Sequence, residues 1–520
     1  MATGRILKSG FAATRVMGGK SGPISLLMLL QLGLASMAFG HDDHNRNMAI
    51  PEGQTISAEP VDTTLYIHIF LNMFVYGVMF PLGMVLGMIK SRFHVPLQIV
   101  AALLALLGAI LGHSHGGREF VEGNAHAVFA TPLQLLLIVQ ITFGLYLKMH
   151  LERGINGRIR PVVRVLHSFL GKAFPVLSWT QMLLGGITAL GFCQGDHVGQ
   201  CAAHFTMGSV FIAYGTILAI FLVCGQAWLA RTGRSQEFFD SAVIAAWGCM
   251  TTFTEQSWGT DWVKNDWQHT TMGVIWWCAG LVGLWLSKDR DGRPARNLIP
   301  GGVLLVTGWA FSAHPQELVI SEKTHQMFGY SLMAAGLSRI VEIAFVCKDR
   351  PAGENGKVSS WQYVPIYMLF ASGFLFMGAT EEQMDLVALG GMDHVSYILV
   401  MYSMALLTFL FANMLITVYY RAQNPPSAEQ EGRNEAYNNV PGGRMGGTSM
   451  DSRRARDVEE FELDELVSDD DDEDDEANDE TRRLVGGRGK ENGNARVSTS
   501  DEDGIGSPST LGKNEDGRIR

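Results

Sequence analysis

The sequence predicts an all-α, polytopic membrane protein, and three observations carry that prediction. Between Leu65 and Tyr420 the chain is a series of apolar runs broken by short polar loops. Lys and Arg concentrate in alternate loops of that series. From Arg421 onward the composition changes to polar, Gly-rich and charged. Of 520 residues, 47 % are hydrophobic, and the net charge of −11 belongs largely to the tail, where VSDDDDEDDEANDE is nearly continuous acid. Such a segment has too little apolar surface to offset the entropy of ordering, so 421–520 reads as a disordered acidic tail. The charge therefore says nothing about a cationic substrate of the folded part.

The elements follow in order. Met1–Gly40 reads as a secretory signal peptide: Lys8, Arg15 and Lys20 precede ISLLMLLQLGLASMAFG, and Ala38 and Gly40 supply small residues before a cut. An uncleaved anchor is the alternative. Residues 41–62 form a short stub that opens HDDHNRN, read as solvated, although an N-terminal His is also a copper ligand. Eleven candidate helices follow, near 65–89, 95–112, 126–148, 167–191, 204–229, 239–255, 269–286, 298–313, 324–346, 361–380 and 394–419. Most approach the roughly 20 apolar residues that cross a hydrocarbon core.

One set of loops holds Lys90 and Arg92, then Lys148 to Arg164, Arg231 and Arg234, Lys288 to Arg296, and Lys348 to Lys357. The positive-inside rule makes that set cytosolic. The N-terminus is then lumenal or extracellular and the acidic tail cytosolic, as expected for a multi-pass protein of the secretory pathway. The tail's cytosolic partners are not legible. CQGDHVGQC falls on the lumenal side, where disulfides form, so a Cys193–Cys201 bridge is predicted.

Ionisable residues inside spans are costly and mark function by default. The first four helices each hold one near the start: His68, His94, His126 and His167. HAVFATPLQLLLIVQITFG and HSFLGKAFPVLSWTQMLLG share a spacing, His126–Gln140–Gly144 and His167–Gln181–Gly185. Because successive helices alternate in direction, His68 and His126 share one membrane face, and His94 and His167 the other. Two His on facing helices suit both axial positions of a haem iron. Small residues such as Gly77, Gly83, Gly87, Gly108, Gly171 and Gly186 would admit a flat cofactor, or simply pack helices.

This pattern resembles the cytochrome b-561 core. The resemblance rests on His68 with Pro81-Leu82-Gly83, His94 with Gln98, His126 with Gln140 and Gly144, and His167 with Gly171, Gln181 and Gly185, and covers about 65–190. The whole chain resembles the fungal Ytp-like family, which joins such a module (here 63–192) to its own helical membrane domain (here 193–420). The resemblance implies two haem b groups and electron transfer from a cytosolic ascorbate-like reductant to ferric or radical acceptors, which would make the protein a metal reductase. One departure is that 41–62 is too short for the folded extracellular haem domain of some relatives. Satisfied buried His, or a core that has lost its haem, are the alternatives.

In the second half, His204, His269, His325 and His394 open helices on the expected lumenal side. Glu255, Asp261, His314, Glu317, Glu381, Glu382 and Asp385 gather on the same face. Imidazole and carboxylate together suit a divalent metal or a proton relay. The plainer reading is polar residues at the bilayer rim. Trp258, Trp262, Trp267, Trp276 and Trp277 read as an interfacial belt. No GxGxxG, Walker loop, hydrolase elbow or nucleic-acid signature occurs, and whether the protein is an enzyme stays open. A metal-ion or proton transporter and a non-catalytic membrane scaffold are the rival classes to electron transfer, and contact with the lipid bilayer is common to all three.

Overall fold

In the computed structural model, the described residues are 50–425, apart from 52–53, 152, 255–260, 263, 314–315, 317 and 348–357. The calls on the signal peptide, on the opening of the stub at 41–49 and on the acidic tail beyond 425 lie outside them. Helices supply nearly all of the secondary structure. Among the described residues there is no strand, only isolated bridges such as Ile56–Phe120 and Val61–Gly117. Helices satisfy their backbone groups within one segment, which a hydrocarbon environment demands.

The front module consists of α1 (Thr63–Met88), α2 (His94–Ser114), α3 (Ala125–Lys148) and α4 (Ile155–Leu190). The Oδ1 of Asp62 caps α1 by accepting from the Leu65 N–H at 2.8 Å, and Asn124 caps α3 in the same way. Gly191 ends α4 in the left-handed region, φ 74°, where a side chain would be strained. Within α1, Val75–Met79 form a π turn, which takes up one extra residue without breaking the helix. α1 packs on α2, and α3 on α4. The middle layer joins the two pairs through Val75, Phe80, Ala105, Leu137 and Phe174.

The C-terminal membrane domain follows, with α5 (Val198–Val223), α6 (Gln226–Thr232), α7 (Gln236–Thr254), α8 (Lys264–Leu286) and α9 (Ile299–Ser312). It continues with α10 (Val319–Val346), α11 (Tyr363–Met377), α12 (Glu381–Leu389) and α13 (His394–Gln423). α11 is the hub: it packs against α5, α10 and α13, and every residue from Leu369 to Met377 is buried. Two hairpins, α7–α8 and α9–α10, complete the domain. Glycines bring backbones together where two helices cross, as at Gly308 with Gly329 and Gly208 with Gly373.

Among the described residues, eight helices are long and apolar enough to cross a membrane, and nine if α11 and α12, bent by 78°, count as one broken span. All eleven expected segments contain helix, so the difference lies in which of them qualify. With 14 residues, α9 reaches only about 21 Å at roughly 1.5 Å per residue. α7 has length enough but places Glu237 and Asp240 at its start. The protein is an all-α polytopic membrane protein, and large apolar side chains such as Phe70, Val128, Phe169, Val176 and Leu407 face outward to lipid. The expected tryptophan belt is incomplete. Trp276 is buried and donates to the Thr307 hydroxyl at 2.7 Å, whereas Trp262 and Trp267 are exposed and pack on each other. Trp258 lies outside the described residues.

The glycine crossings are testable. A Cβ on Gly308 would lie 2.5 Å from the Gly329 carbonyl oxygen and 2.7 Å from the Met333 nitrogen, both main-chain atoms. Gly308→Ala must therefore separate α9 from α10, and is expected to lower stability by about 1–3 kcal/mol, read as a lower thermal midpoint in detergent. Gly302→Ala on the same helix, where nothing lies within 4 Å, should leave the midpoint unchanged. Equal midpoints for the two variants would contradict this packing.

Candidate functional site

The structure brings His68 to His126, with ring centres 6.3 Å apart, and His94 to His167, at 6.4 Å. The ring planes are nearly perpendicular, at 86° and 79°. No hydrogen bond joins the two rings of either pair. Two metal–nitrogen bonds of about 2 Å and two imidazole radii of about 1.1 Å place ring centres roughly 6 Å apart. Each pair thus has the spacing of two imidazoles on opposite sides of one metal.

The local sequence explains how each ring is held. His68 Nδ1–H donates to the Gly108 carbonyl at 2.7 Å, and the ring lies over Gly112. His94 Nδ1–H donates to the Gly83 carbonyl at 2.7 Å and lies over Gly87. His126 Nδ1–H donates to the Gln181 carbonyl at 3.3 Å and lies over Gly185. His167 lies over Gly144, and the Gln140 backbone takes the equivalent place, although Nδ1 meets no hydrogen-bond geometry there. In every case a glycine on the partner helix receives one imidazole, and for His68, His94 and His126 the carbonyl four residues before that glycine accepts the Nδ1–H. α1 and α2 clasp each other in this way, and so do α3 and α4.

The clasp has a period. On α2, α3 and α4 the acceptor and the glycine follow that helix's own histidine by 14 and 18 residues: His94 to Gly108 and Gly112, His126 to Gln140 and Gly144, His167 to Gln181 and Gly185. On α1 they follow His68 by 15 and 19, at Gly83 and Gly87. The π turn Val75–Met79 lies between and absorbs the extra residue. Two of the four repeats are visible in the sequence. The other two are hidden because Gly replaces Gln at the acceptor position and because α1 is one residue out of step. Amide side chains add support: Asn72 donates to the His68 carbonyl at 3.0 Å, Gln140 to that of His167 at 2.9 Å, and Gln181 to that of His126 at 3.0 Å. The Gln181 amide also approaches both ring nitrogens of His126, at 3.0 and 3.4 Å.

A flat cofactor fits this frame. A Cβ at Gly112 or Gly87 would come within 3.0 Å of the histidine ring, so glycine alone leaves the ring where it is. Gln140 Oε1 and Gln181 Oε1 are buried without a hydrogen-bond partner beside the two pairs. Each Nδ1–H bond to a carbonyl fixes the tautomer and leaves Nε2 with a lone pair, as metal-ligating histidines require.

The second expected site is different. Among the described residues no group of three or more His, Cys, Asp or Glu is placed to hold a metal. Glu255, His314 and Glu317 lie outside the described residues. Glu381 pairs with His197 at 3.6 Å rather than turning to His394. Glu382 accepts from the backbone N–H groups of Cys193, at 2.6 Å, and Gln194, at 3.3 Å, so it secures the Cys193–Cys201 disulfide loop. His394 begins α13, half-buried, after the capping Asp393. His325 packs against His204 at 6.0 Å, and His204 stacks flat on Phe376 at 4.5 Å. Half-buried His269 lies in electrostatic range of His204. One omission is a set of buried charges on α7, α10 and the segment before α9, where Arg296 reads from the sequence as a basic loop residue that sets topology.

Residues 177–420 match the family model described as protein YTP1-like, C-terminal. This stretch is similar to the C-terminal region of YTP1-like proteins. Residues 48–150 match a domain of unknown function, DUF2427. Protein YTP1 of Saccharomyces cerevisiae is 42 % identical over 255 residues, which is 49 % of this chain and 54 % of that protein, so the chain spans about half of that relative's length. The uncharacterized membrane protein C3B8.06 of Schizosaccharomyces pombe is 22 % identical over 458 residues, covering 65 % of this chain and 90 % of that one. The uncharacterized membrane protein YCR061W of S. cerevisiae is 21 % identical over 250 residues, 38 % of this chain and 40 % of that one. No solved structure matches. The clasp crosses the matched regions: His126 lies in the DUF2427 match, and its acceptor Gln181 in the YTP1-like match.

Beside the His68–His126 end, Asp62 ties α1 to the α2–α3 loop, its Oδ2 accepting from the Gly116 N–H at 3.0 Å. The Leu65 N–H holds its carboxyl below the ordinary value of 3.8, and Gly116 and His115 add to this. A lowered folded value means the tie is in place above pH 3.8 and is lost as pH falls through the folded value. The Gly116 amide should therefore exchange with solvent faster once Asp62 is protonated, and at neutral pH in Asp62→Ala. Exchange that is independent of both would argue against the tie.

Proposed function

We propose that the four clasped histidines hold two haem b groups, and that the front module carries electrons between the two membrane faces. The observation behind this reading is the ring spacing of 6.3 and 6.4 Å, made by side chains whose Nδ1 atoms are directed to backbone acceptors. His68 and His126 would hold one group, His94 and His167 the other. Haem iron supplies a one-electron couple whose potential is set by axial ligation and burial.

The chain's own residues do the rest. The carbonyl–glycine steps orient the imidazoles and keep their ligating nitrogens deprotonated. From His126 to Gly144 along α3 is 18 residues, about 27 Å at roughly 1.5 Å each. Tyr76, Phe80 and Phe174, with ring centres 5.0 to 6.0 Å apart, fill the interval and exclude water from it. Lys90 and Arg92 flank the His94–His167 end, which the positive-inside rule makes cytosolic. An anionic ascorbate-like reductant is drawn there by charge, and the acceptor, ferric or radical, meets the opposite face. On this reading residues 63–192 are the redox module of a secretory-pathway membrane protein with a cytosolic C-terminus. The transporter alternative depends on a ligand cluster that the described residues do not form.

Protein purified from haem-replete cells should give a dithionite-reduced minus oxidised spectrum corresponding to two b-type haems per chain. His126→Ala should remove one and His167→Ala the other, each halving the absorbance. Gly112→Ala, whose Cβ would meet the His68 ring, should act like His126→Ala and spare the His94–His167 site. A wild-type spectrum without a haem band would overturn the reading.

A further inference from the structure

Five charged side chains are buried together where α7 begins and α10 ends. Glu237 Oε1 accepts from Arg296 Nη2 at 2.7 Å and Nε at 3.0 Å, and from Arg339 Nη2 at 2.9 Å. Arg339 Nη1 donates to Glu342 Oε2 at 2.6 Å, and Gln362 Nε2 donates to Glu342 Oε1 at 3.3 Å. The fifth is Asp240, one turn after Glu237 on α7. All five side chains are at least nine-tenths buried. Glu342 also opens the π turn Glu342–Val346 at the end of α10.

Among the described residues the charges do not balance. Two guanidiniums, which stay protonated in proteins, face three carboxyls. Glu237 and Glu342 each have a guanidinium within 3 Å. Asp240 makes no ion pair among the described residues, and its Oδ2 is buried without a hydrogen-bond partner. An ionised Asp240 would be an uncompensated buried charge one helical turn from a second carboxylate, which is unfavourable on both counts. The groups that face it are the Tyr214 hydroxyl from α5, Glu237 on its own helix, Arg296 from the segment before α9, and Arg339 from α10. None supplies a third positive charge.

We infer that Asp240 is a proton-binding site of the C-terminal membrane domain, carrying its proton in the resting protein. The bound proton makes the cluster neutral, and its release (COOH to COO− plus a proton passed to water) leaves a net charge of −1 in the core. A small cavity lined by Gln236, Arg339, Glu342 and Gln362 adjoins the Arg339–Glu342 side of the cluster. The inference is independent of haem, since no residue of the front module takes part.

The test uses the full chain in detergent. At neutral pH the infrared spectrum of the wild type should contain the carbonyl stretch of a buried carboxylic acid, shifted in D2O, and Asp240→Asn should lack it. Relative to Asp240→Asn, an uncharged isostere, the wild-type thermal midpoint should fall as pH is raised from the ordinary carboxyl value of 3.8 through the neutral range. An acid band missing from the wild type, or unchanged in Asp240→Asn, overturns the inference. So does an Asp240→Asn protein that fails to fold, because asparagine reproduces the neutral form that the site is inferred to hold.

Discussion

The front module depends on one arrangement repeated four times, an imidazole seated over a glycine of the neighbouring helix, and in three of the four its N–H donates to a backbone carbonyl of that helix. A neutral imidazole in hydrocarbon must satisfy its donor, and the glycine is what allows the ring near enough to do so. The other features follow from that need. α1 pairs with α2 and α3 with α4, because each helix carries a histidine at one end and the receiving step at the other. The π turn of α1 exists where the receiving step is one residue late. The packed middle layer keeps the two histidine pairs apart as separate sites.

The C-terminal domain is built on a different rule. Its helices approach through glycines to backbone contact, and α11, apolar on all sides, is enclosed by α5, α10 and α13. Polar groups in that core are paired across helices: Trp276 with Thr307, Ser331 with Tyr402, Tyr397 with the Gly378 carbonyl, and the guanidinium–carboxylate set. The disulfide loop is fastened to α12 through Glu382, a role that the expected metal reading of that carboxylate did not contain.

Much of this is legible in the sequence, and the limits are physical. Four histidines in apolar runs stand out because the residue type is costly there, and alternating helix direction says which ends they share. The receiving glycines Gly87 and Gly112 do not stand out, since a glycine that seats a ring and one that packs a helix look alike. The register of α1 is hidden by a single extra residue that only a π turn reveals. Arg296 follows Lys288, Arg290 and Arg293 in a basic loop, so its charge reads as topology; its side chain is nevertheless only 7 % exposed. Glu381 and Glu382 precede His394 closely in sequence, yet the bend between α11 and α12 turns them to the disulfide loop. Proximity along the chain was a poor guide there because the intervening helix reorients both.

The ion pair between Glu237 and Arg339 links residues separated by 102 positions. During synthesis α7 therefore reaches the membrane well before the guanidinium that neutralises it exists. Until α10 emerges, Glu237 at the head of α7 has Arg296 but lacks its second guanidinium, and Asp240 has the Tyr214 hydroxyl of α5. The α7–α8 hairpin is thus poorly suited to settle in lipid by itself, and its final placement waits on the α9–α10 hairpin. A chain truncated before residue 339 would have one guanidinium beside Glu237 instead of two, so the head of α7 would be less fully neutralised than in the complete molecule.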